Sequence, residues 1–100
     1  MITASSHNLD AEISAARLLH PLAKKHLREI KDRVDLLANR GANLYYCARD
    51  TLAALEPEMT NTVRSQAASS ATILLSLHAH AKGYRRFTNA LGVSVWAKPL

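Results

Sequence analysis

Apolar residues recur at alternating steps of four and three residues through the first half of the chain. A repeat of about 3.5 residues is typical of a helix that buries one stripe of side chains against another helix. Pro21 interrupts this N-terminal stripe and Gly41 ends it. The stripe is therefore too short for a long coiled coil and indicates one half of a helical-bundle core. Its members are Leu9, Ile13, Ala16, Leu19, Ala23, Leu27, Ile30, Val34, Leu37 and, beyond the glycine, Leu44.

Pro21 decides how the first helices are divided. A helix is expected to begin at the capping residue Asn8, with residues 1–8 frayed. Because proline lacks a backbone N–H and clashes with the preceding turn, Pro21 either kinks one long helix or opens a second one. The stripe keeps its phase across Pro21, which favours a kink or a tight joint. The segment 22–40 is the clearest predicted helix, and Gly41 can adopt the left-handed conformation that ends it.

The second half of the chain predicts the helices that pack against the first. Asn43 is expected to cap a short helix over 44–55, and Pro57, between two acids, to open the next helix. A second stripe with the same four-three step, the C-terminal stripe, predicts that next helix. Its members are Met59, Val63, Ala67, Ser70 or Ala71, Leu74, Leu77 and Ala81.

The end of the chain departs from both stripes. After the predicted helix stop at Gly83, a short amphipathic turn is expected through Tyr84, Phe87 and Leu91. The alternating pattern over 92–96 then predicts a short extended tail.

Composition agrees with a helical fold. Ala, Leu and Val dominate an apolar fraction of 48%, and aromatic residues supply only 5% of the chain. The predicted fold is all-α: a compact bundle of four to five helices in a single domain over 1–100. It has a long helix kinked or jointed at Pro21 and a short extended C-terminal tail. The six small residues over 67–72 predict a tight helix crossing within the bundle, or a flat interface for a partner.

Charge and cysteine content narrow the class of protein. The formal charge is +5, which makes nucleic acid, an acidic protein face or a membrane surface possible anionic partners. The most apolar window, 71–81, is far shorter than the roughly 20 residues that span a bilayer, and residues 1–10 do not resemble a signal peptide. The single Cys47 cannot form an intrachain disulfide and is expected to be a buried, inert thiol. These features predict a cytoplasmic protein without membrane association.

Two groups of cations are candidate binding sites. The first lies on the polar side of the predicted helix 22–40, where Asp32 and Asp35 share the face and would repel phosphate. The second, near the C-terminus, combines arginines with aromatic residues, which are the types that anchor protein interfaces. The candidate protein-binding residues are Tyr84, Arg85, Arg86, Phe87 and Trp96. The candidate nucleic-acid-binding residues are Lys24, Lys25, Arg28, Lys31, Arg85 and Arg86.

A helix-turn-helix would strengthen the nucleic-acid interpretation, with DNA as the expected ligand. Ala79 and Gly83 have the spacing of that motif, but Asn89 and Gly92 stand where its second helix needs core residues. The pattern therefore favours an exposed arginine pair as a docking patch.

Metal binding and catalysis have no motif in this chain. His78 and His80 are two residues apart and His20 and His26 six apart, so neither pair faces one ion on a helix. There is no glycine-rich phosphate loop, and Cys47 is the only thiol. We therefore expect no metal, no cofactor and no enzymatic activity.

The sequence thus predicts a small regulatory or inhibitory protein that acts by binding another protein. The alternative is a nucleic-acid-binding protein. Leu22 and Leu36 lie beside the N-terminal stripe and widen its apolar face, so the face can contact more than one helix, of this chain or of a second copy. We expect a homodimer.

Overall fold

The structure, a computed structural model, describes the backbone of residues 2–99 and the side chains of residues 10–99. Five helices precede a two-stranded antiparallel sheet. The elements are α1 (Ile2–Arg17), α2 (Pro21–Lys25), α3 (Leu27–Leu37), α4 (Leu44–Leu55), α5 (Asn61–Ala81), β1 (Arg85–Thr88) and β2 (Ser94–Ala97). The mainly helical fold is confirmed, and the sheet corrects the all-α prediction.

The first helix differs from its prediction at both ends. It begins at Ile2 rather than at Asn8. Met1 and the side chains of residues 2–9 lie outside the described residues, so the predicted fraying of 1–8 and the place of Leu9 in the stripe stay predictions. At the other end the chain leaves the helix over 18–20, and Pro21 opens α2 as its first residue. Pro21 therefore opens a second helix after a short joint, and of the two predicted alternatives the kink in one long helix is wrong.

His20 stabilises the start of α2. Its imidazole Nδ1 accepts a hydrogen bond from the Leu22 backbone N–H at 3.1 Å. The backbone N–H of His20 donates a hydrogen bond to Ser70 Oγ on α5 at 2.9 Å. Because the chain turns here, the buried face of α1 does not follow the predicted stripe. Ala15 and Leu19 are buried, whereas the stripe members Ile13 and Ala16 are exposed.

From Leu19 onward the N-terminal stripe faces the core as predicted, its members buried or packed against buried residues. The predicted helix 22–40 is nevertheless divided at His26, which has a non-helical backbone, and α3 ends at Leu37. Gly41 takes the predicted left-handed conformation, with φ of 103°. Asn43 caps α4 as predicted, its Oδ1 accepting from the Tyr46 N–H at 2.9 Å.

Helix α5 is the central element, and each of the other four helices packs against it. It begins at Asn61, capped by the hydroxyl of Thr60 rather than opened by Pro57. Because other helices contact α5 on several sides, its buried surface is wider than the predicted stripe and includes Leu75 and Ala79. Ala81, the last residue of the helix, is exposed. Of the six small residues over 67–72, Ala67, Ala68 and Ala71 are fully buried against the other helices and Ser69 is exposed. The buried side chains along α5 are Ala67, Ala68, Ala71, Leu74, Leu75 and Ala79.

The predicted amphipathic turn through Tyr84, Phe87 and Leu91 is wrong over 85–88, where the chain forms β1 instead. The predicted extended tail is confirmed as β2. The strands pair Arg85 with Ala97, Arg86 with Trp96, Phe87 with Val95 and Thr88 with Ser94. In the connecting turn, Asn89 Oδ1 accepts from the N–H groups of Leu91 and Val93, at 2.9 and 3.1 Å.

No helix among the described residues has the length and apolar character needed to cross a membrane.

Candidate protein-binding surface

Strand β2 lies between β1 and the connection from α3 to α4. Trp96 and Ala42 exchange two backbone hydrogen bonds of 2.8 and 2.7 Å. The Lys98 N–H donates to the Ala38 carbonyl at 2.9 Å, and Asn43 Nδ2 donates to the Ser94 carbonyl at 2.9 Å. The inner strand of the hairpin is thus held to the helical body, and β1 becomes the outer strand.

The structure divides the five predicted protein-binding residues into two groups. Arg85, Arg86 and Phe87 are exposed on β1. Trp96 is half-buried and packs against the core, and Tyr84 is buried. Tyr84 therefore does not lie on the surface, although it supports the strand that carries the arginines. We call Arg85, Arg86, Phe87 and the outer side of Trp96 the hairpin surface.

Two grooves flank Arg86 on this surface. Arg86 lies directly opposite Trp96, so both side chains project from the same face of the sheet. Neither groove is lined by an aspartate or a glutamate. One, of about 310 Å³, is lined by Asn43, Leu44, Tyr45, Thr72, Ile73, Ser76, Arg86, Ser94 and Trp96. The other, of about 430 Å³, is lined by His80, Gly83, Tyr84, Arg85, Arg86 and Trp96.

The two arginines also lack intramolecular carboxylate partners among residues 10–99, where neither takes part in an ion pair. Arg85 and Arg86 are exposed, and among residues 10–99 no carboxylate compensates their positive charge. Such a surface attracts an anionic group from outside the chain.

The helical cation group has a different environment. Lys24, Lys25 and Arg28 are exposed and Lys31 is half-buried. Lys25 Nζ lies 3.2 Å from Glu56 Oε2. Arg28 and Lys31 line a groove of about 420 Å³ that also carries two carboxylates, and its lining is Leu27, Arg28, Lys31, Asp32, Asp35, His78 and Lys82. None of the grooves described here joins this helical group to Arg85 and Arg86.

Asp35 connects the base of the hairpin to the helices. Its Oδ1 accepts from the Tyr84 hydroxyl at 2.8 Å and lies 3.0 Å from His78 Nε2, while Lys82 Nζ is 3.8 Å from Oδ2. Partial burial acts to raise the pKa of Asp35. The hydrogen bonds from Tyr84 and His78 and the nearby charges outweigh this effect, so the pKa lies below its ordinary value of 3.8. Burial, and then the bond to Asp35, raises the pKa of Tyr84 to about 12.

A second carboxylate joins the break between α2 and α3 to the end of α4. His26 Nε2 lies 2.7 Å from Glu56 Oε2, which also accepts from Lys25. The hydrogen bond from His26, followed by that from Lys25, holds the pKa of Glu56 below its ordinary value. Sequence reasoning missed both carboxylate clusters because each carboxylate is 30 or more residues away from its partners and no local pattern marks them.

Cys47 is the only cysteine in the chain. Cys47 is buried as predicted, and burial raises its pKa to about 11, which suppresses the thiolate. Within residues 10–99, no three His, Cys, Asp or Glu side chains approach closely enough to hold a metal ion.

The last candidate surface is an apolar groove between α3 and α4. Leu36 is 73% exposed and faces this groove with Leu55, which is 44% exposed. Leu22, the other residue predicted to widen the apolar face, packs against the core instead. The groove, of about 280 Å³, is lined by Glu29, Asp32, Arg33, Leu36, Thr51, Ala54 and Leu55.

Comparison with known proteins returns no match: no family model, no curated protein and no solved structure is significantly similar to this chain.

Proposed function

We propose that this chain is a non-enzymatic regulatory or inhibitory protein whose hairpin surface binds an acidic segment of another protein. One observation carries the proposal: Arg85 and Arg86 are exposed beside two grooves that no aspartate or glutamate lines. Guanidinium groups bind carboxylates with two parallel hydrogen bonds, and arginine with tryptophan is enriched among residues that dominate interface energies. The chain would regulate its partner by occupying a surface of that partner.

An acidic protein fits the hairpin surface better than nucleic acid does. Affinity for nucleic acid grows with the number of phosphates that cations neutralise. The helical cations that would extend such a contact lie beside carboxylates, as Lys25 does with Glu56 and Lys82 with Asp35. The exposed Phe87 and the apolar wall of the first groove, formed by Tyr45 and Ile73, suit protein side chains.

The proposal includes a homodimer formed through the groove between α3 and α4. A second copy laid over Leu36 and Leu55 would remove both side chains from water. This groove and the hairpin surface share no lining residue, so a dimer would leave Arg85 and Arg86 free for a partner.

A charge reversal on each cation group tests the proposal. The variant Arg85→Glu with Arg86→Glu alters the hairpin surface, and Lys24→Glu with Arg28→Glu makes the same charge change on the helical group. A fluorescent glutamate-rich peptide is titrated with each protein. We expect the hairpin variant to lose binding and the helical variant to bind nearly as well as the original chain.

Equal losses in the two variants would show that only net charge matters and would refute a site at the hairpin. A short DNA duplex is titrated in parallel. Tight duplex binding at about 50 mM salt that falls steeply as salt rises would replace the proposal with the nucleic-acid function of the six cations named above.

A further inference from the structure

We propose that the outer edge of β1 binds the partner's acidic segment as an added antiparallel β-strand. This inference rests on the proposed function and specifies how the hairpin surface holds its partner. The bound sequence would be extended, with acidic side chains opposite the two arginines.

The hydrogen-bond register of the hairpin shows which backbone groups are available. Trp96 uses its N–H and carbonyl for Ala42, so these groups point away from β1. In an antiparallel pair, residue pairs with and without mutual hydrogen bonds alternate. The pair of Arg86 and Trp96 is therefore one without mutual bonds, and so is the pair of Thr88 and Ser94.

Arg86 and Thr88 consequently direct their N–H and carbonyl groups toward the outer edge. Among residues 2–99, no backbone hydrogen bond from outside the hairpin reaches either residue. Both residues are exposed. Unpaired groups in a row along an edge strand are the feature to which extended peptides add.

Charge selects the kind of strand that can occupy this edge. Antiparallel pairing of β1 with the same strand of a second copy would crowd four arginines into one short sheet, and like charges on neighbouring strands repel. An added strand with acidic residues opposite Arg85 and Arg86 reverses the sign of that interaction. No carboxylate lines the grooves beside Arg86 to compete with it.

The side chains of β1 set the pattern of the added strand. Successive side chains point to opposite faces, so Arg86 and Thr88 share one face and Arg85 and Phe87 the other. Read in its own direction, an antiparallel partner places a residue opposite Thr88, an apolar residue opposite Phe87, and acids opposite Arg86 and then Arg85. The core Thr-Ile-Glu-Glu satisfies this pattern.

The edge is already ordered in the free protein. Hydrogen bonds from β2 to Ala42 and Asn43, and from the following Lys98 to Ala38, fix the hairpin against the helical body. A strand that adds to a preformed edge pays only its own ordering cost, which favours binding of a flexible acidic segment.

The decisive probe is a short peptide with the core Thr-Ile-Glu-Glu, compared with the same peptide N-methylated at the glutamate opposite Arg86. Methylation keeps the charge but removes the backbone donor to the Arg86 carbonyl. We expect a loss of affinity of about tenfold or more in fluorescence polarisation. The unmethylated peptide should also slow hydrogen exchange of the Arg86 and Thr88 amides, which point outward in the free protein.

A variant of the chain makes the complementary test. Thr88→Pro removes one outward N–H, which β2 does not use, and proline is tolerated on edge strands. Thr88→Val is the matched control because it keeps that N–H. Peptide affinity should fall by about tenfold in the proline variant and stay within about twofold of the original in the valine variant.

The outcomes separate this inference from the proposed function. If the methylated peptide binds as tightly as the original, and the charge reversal at Arg85 and Arg86 still abolishes binding, strand addition is overturned while the acidic partner stands. If the charge reversal changes nothing, both proposals fail. An unmethylated peptide that binds without slowing exchange of the Arg86 and Thr88 amides would also overturn strand addition.

Discussion

The hydroxyl of Tyr84 donates a 2.8 Å hydrogen bond to Oδ1 of Asp35, and this bond joins the residue before β1 to helix α3. His78 of α5 approaches the same oxygen. The carboxylate thus links a middle helix, the central helix and the hairpin. The candidate binding strand is therefore held by this partly buried polar contact as well as by its own sheet pairing.

Replacing Tyr84 with phenylalanine removes the hydroxyl and keeps the ring. Because the acceptor is a carboxylate only 28% exposed at its side chain, we expect a loss of about 1–2 kcal/mol in the free energy of unfolding. Urea unfolding followed by circular dichroism measures the change. Tyr45→Phe is the control, since no hydrogen bond of the Tyr45 hydroxyl occurs among residues 10–99. Equal effects of the two substitutions would contradict the role of the Asp35 contact.

The pH dependence of stability follows from the same carboxylate. The folded-state pKa of Asp35 lies below its ordinary value of 3.8. Near these two pKa values, Asp35 therefore binds fewer protons in the folded protein than in the unfolded chain. The stabilisation is therefore complete above 3.8 and is lost as the pH falls through the folded-state pKa.

Asp35→Asn tests this dependence. Unfolding free energies measured from about pH 6 down to about pH 2 should fall less steeply on the acid side in the variant than in the original chain. Asp50→Asn is the control because its side chain is exposed and outside the described ion pairs. If the unfolding free energies of Asp35→Asn and of the original chain fall equally steeply as the pH is lowered, the prediction is refuted.

Gly41 supports the hairpin from the helical side. It has φ of 103°, and a Cβ atom there would lie 3.2 Å from Val95 Cγ2 on β2. Gly83 has φ of 81° but nothing within 4 Å of such an atom. We expect Gly83→Ala to lower the unfolding free energy by about 1–2 kcal/mol through backbone strain alone. Gly41→Ala should cost about a further 1 kcal/mol because Val95 must move. Thermal unfolding compares the two, and a smaller effect at Gly41 would contradict this packing.

The homodimer prediction depends on Leu36. In the original chain, sedimentation equilibrium should detect a dimer, and Leu36→Glu should convert it to a monomer with unchanged helical content. Because Leu36 is 73% exposed, the substitution should change monomer stability by no more than about 0.5 kcal/mol. Leu18→Glu is the control at a similarly exposed leucine outside the groove. A monomer at all concentrations of the original chain would exclude this dimer.

Local signals in the sequence predicted most of the helical body. The four-three stripe predicted the buried positions of Leu19, Ala23, Ile30, Val34 and Leu44, because a helix repeats its core-facing side at a fixed short interval. It did not include Ala38 and Ala42, which are also fully buried. Asn43 predicted the cap of α4, and Gly41 predicted the end of the preceding helical segment. Both residues act on backbone groups only a few positions away. Because these interactions join residues that are close in the chain, the local sequence is enough to predict them.

Tertiary contacts decided the remaining features. His26 interrupts a helix where it meets Glu56, which is 30 residues away. Tyr84 has the composition of a surface anchor but is buried against Asp35. The segment from Arg85 has an amphipathic helical pattern, yet it forms a strand because β2 is available and is itself bonded to Ala42. A strand needs a partner outside its own segment, and no periodicity within one segment reports whether that partner will be in place.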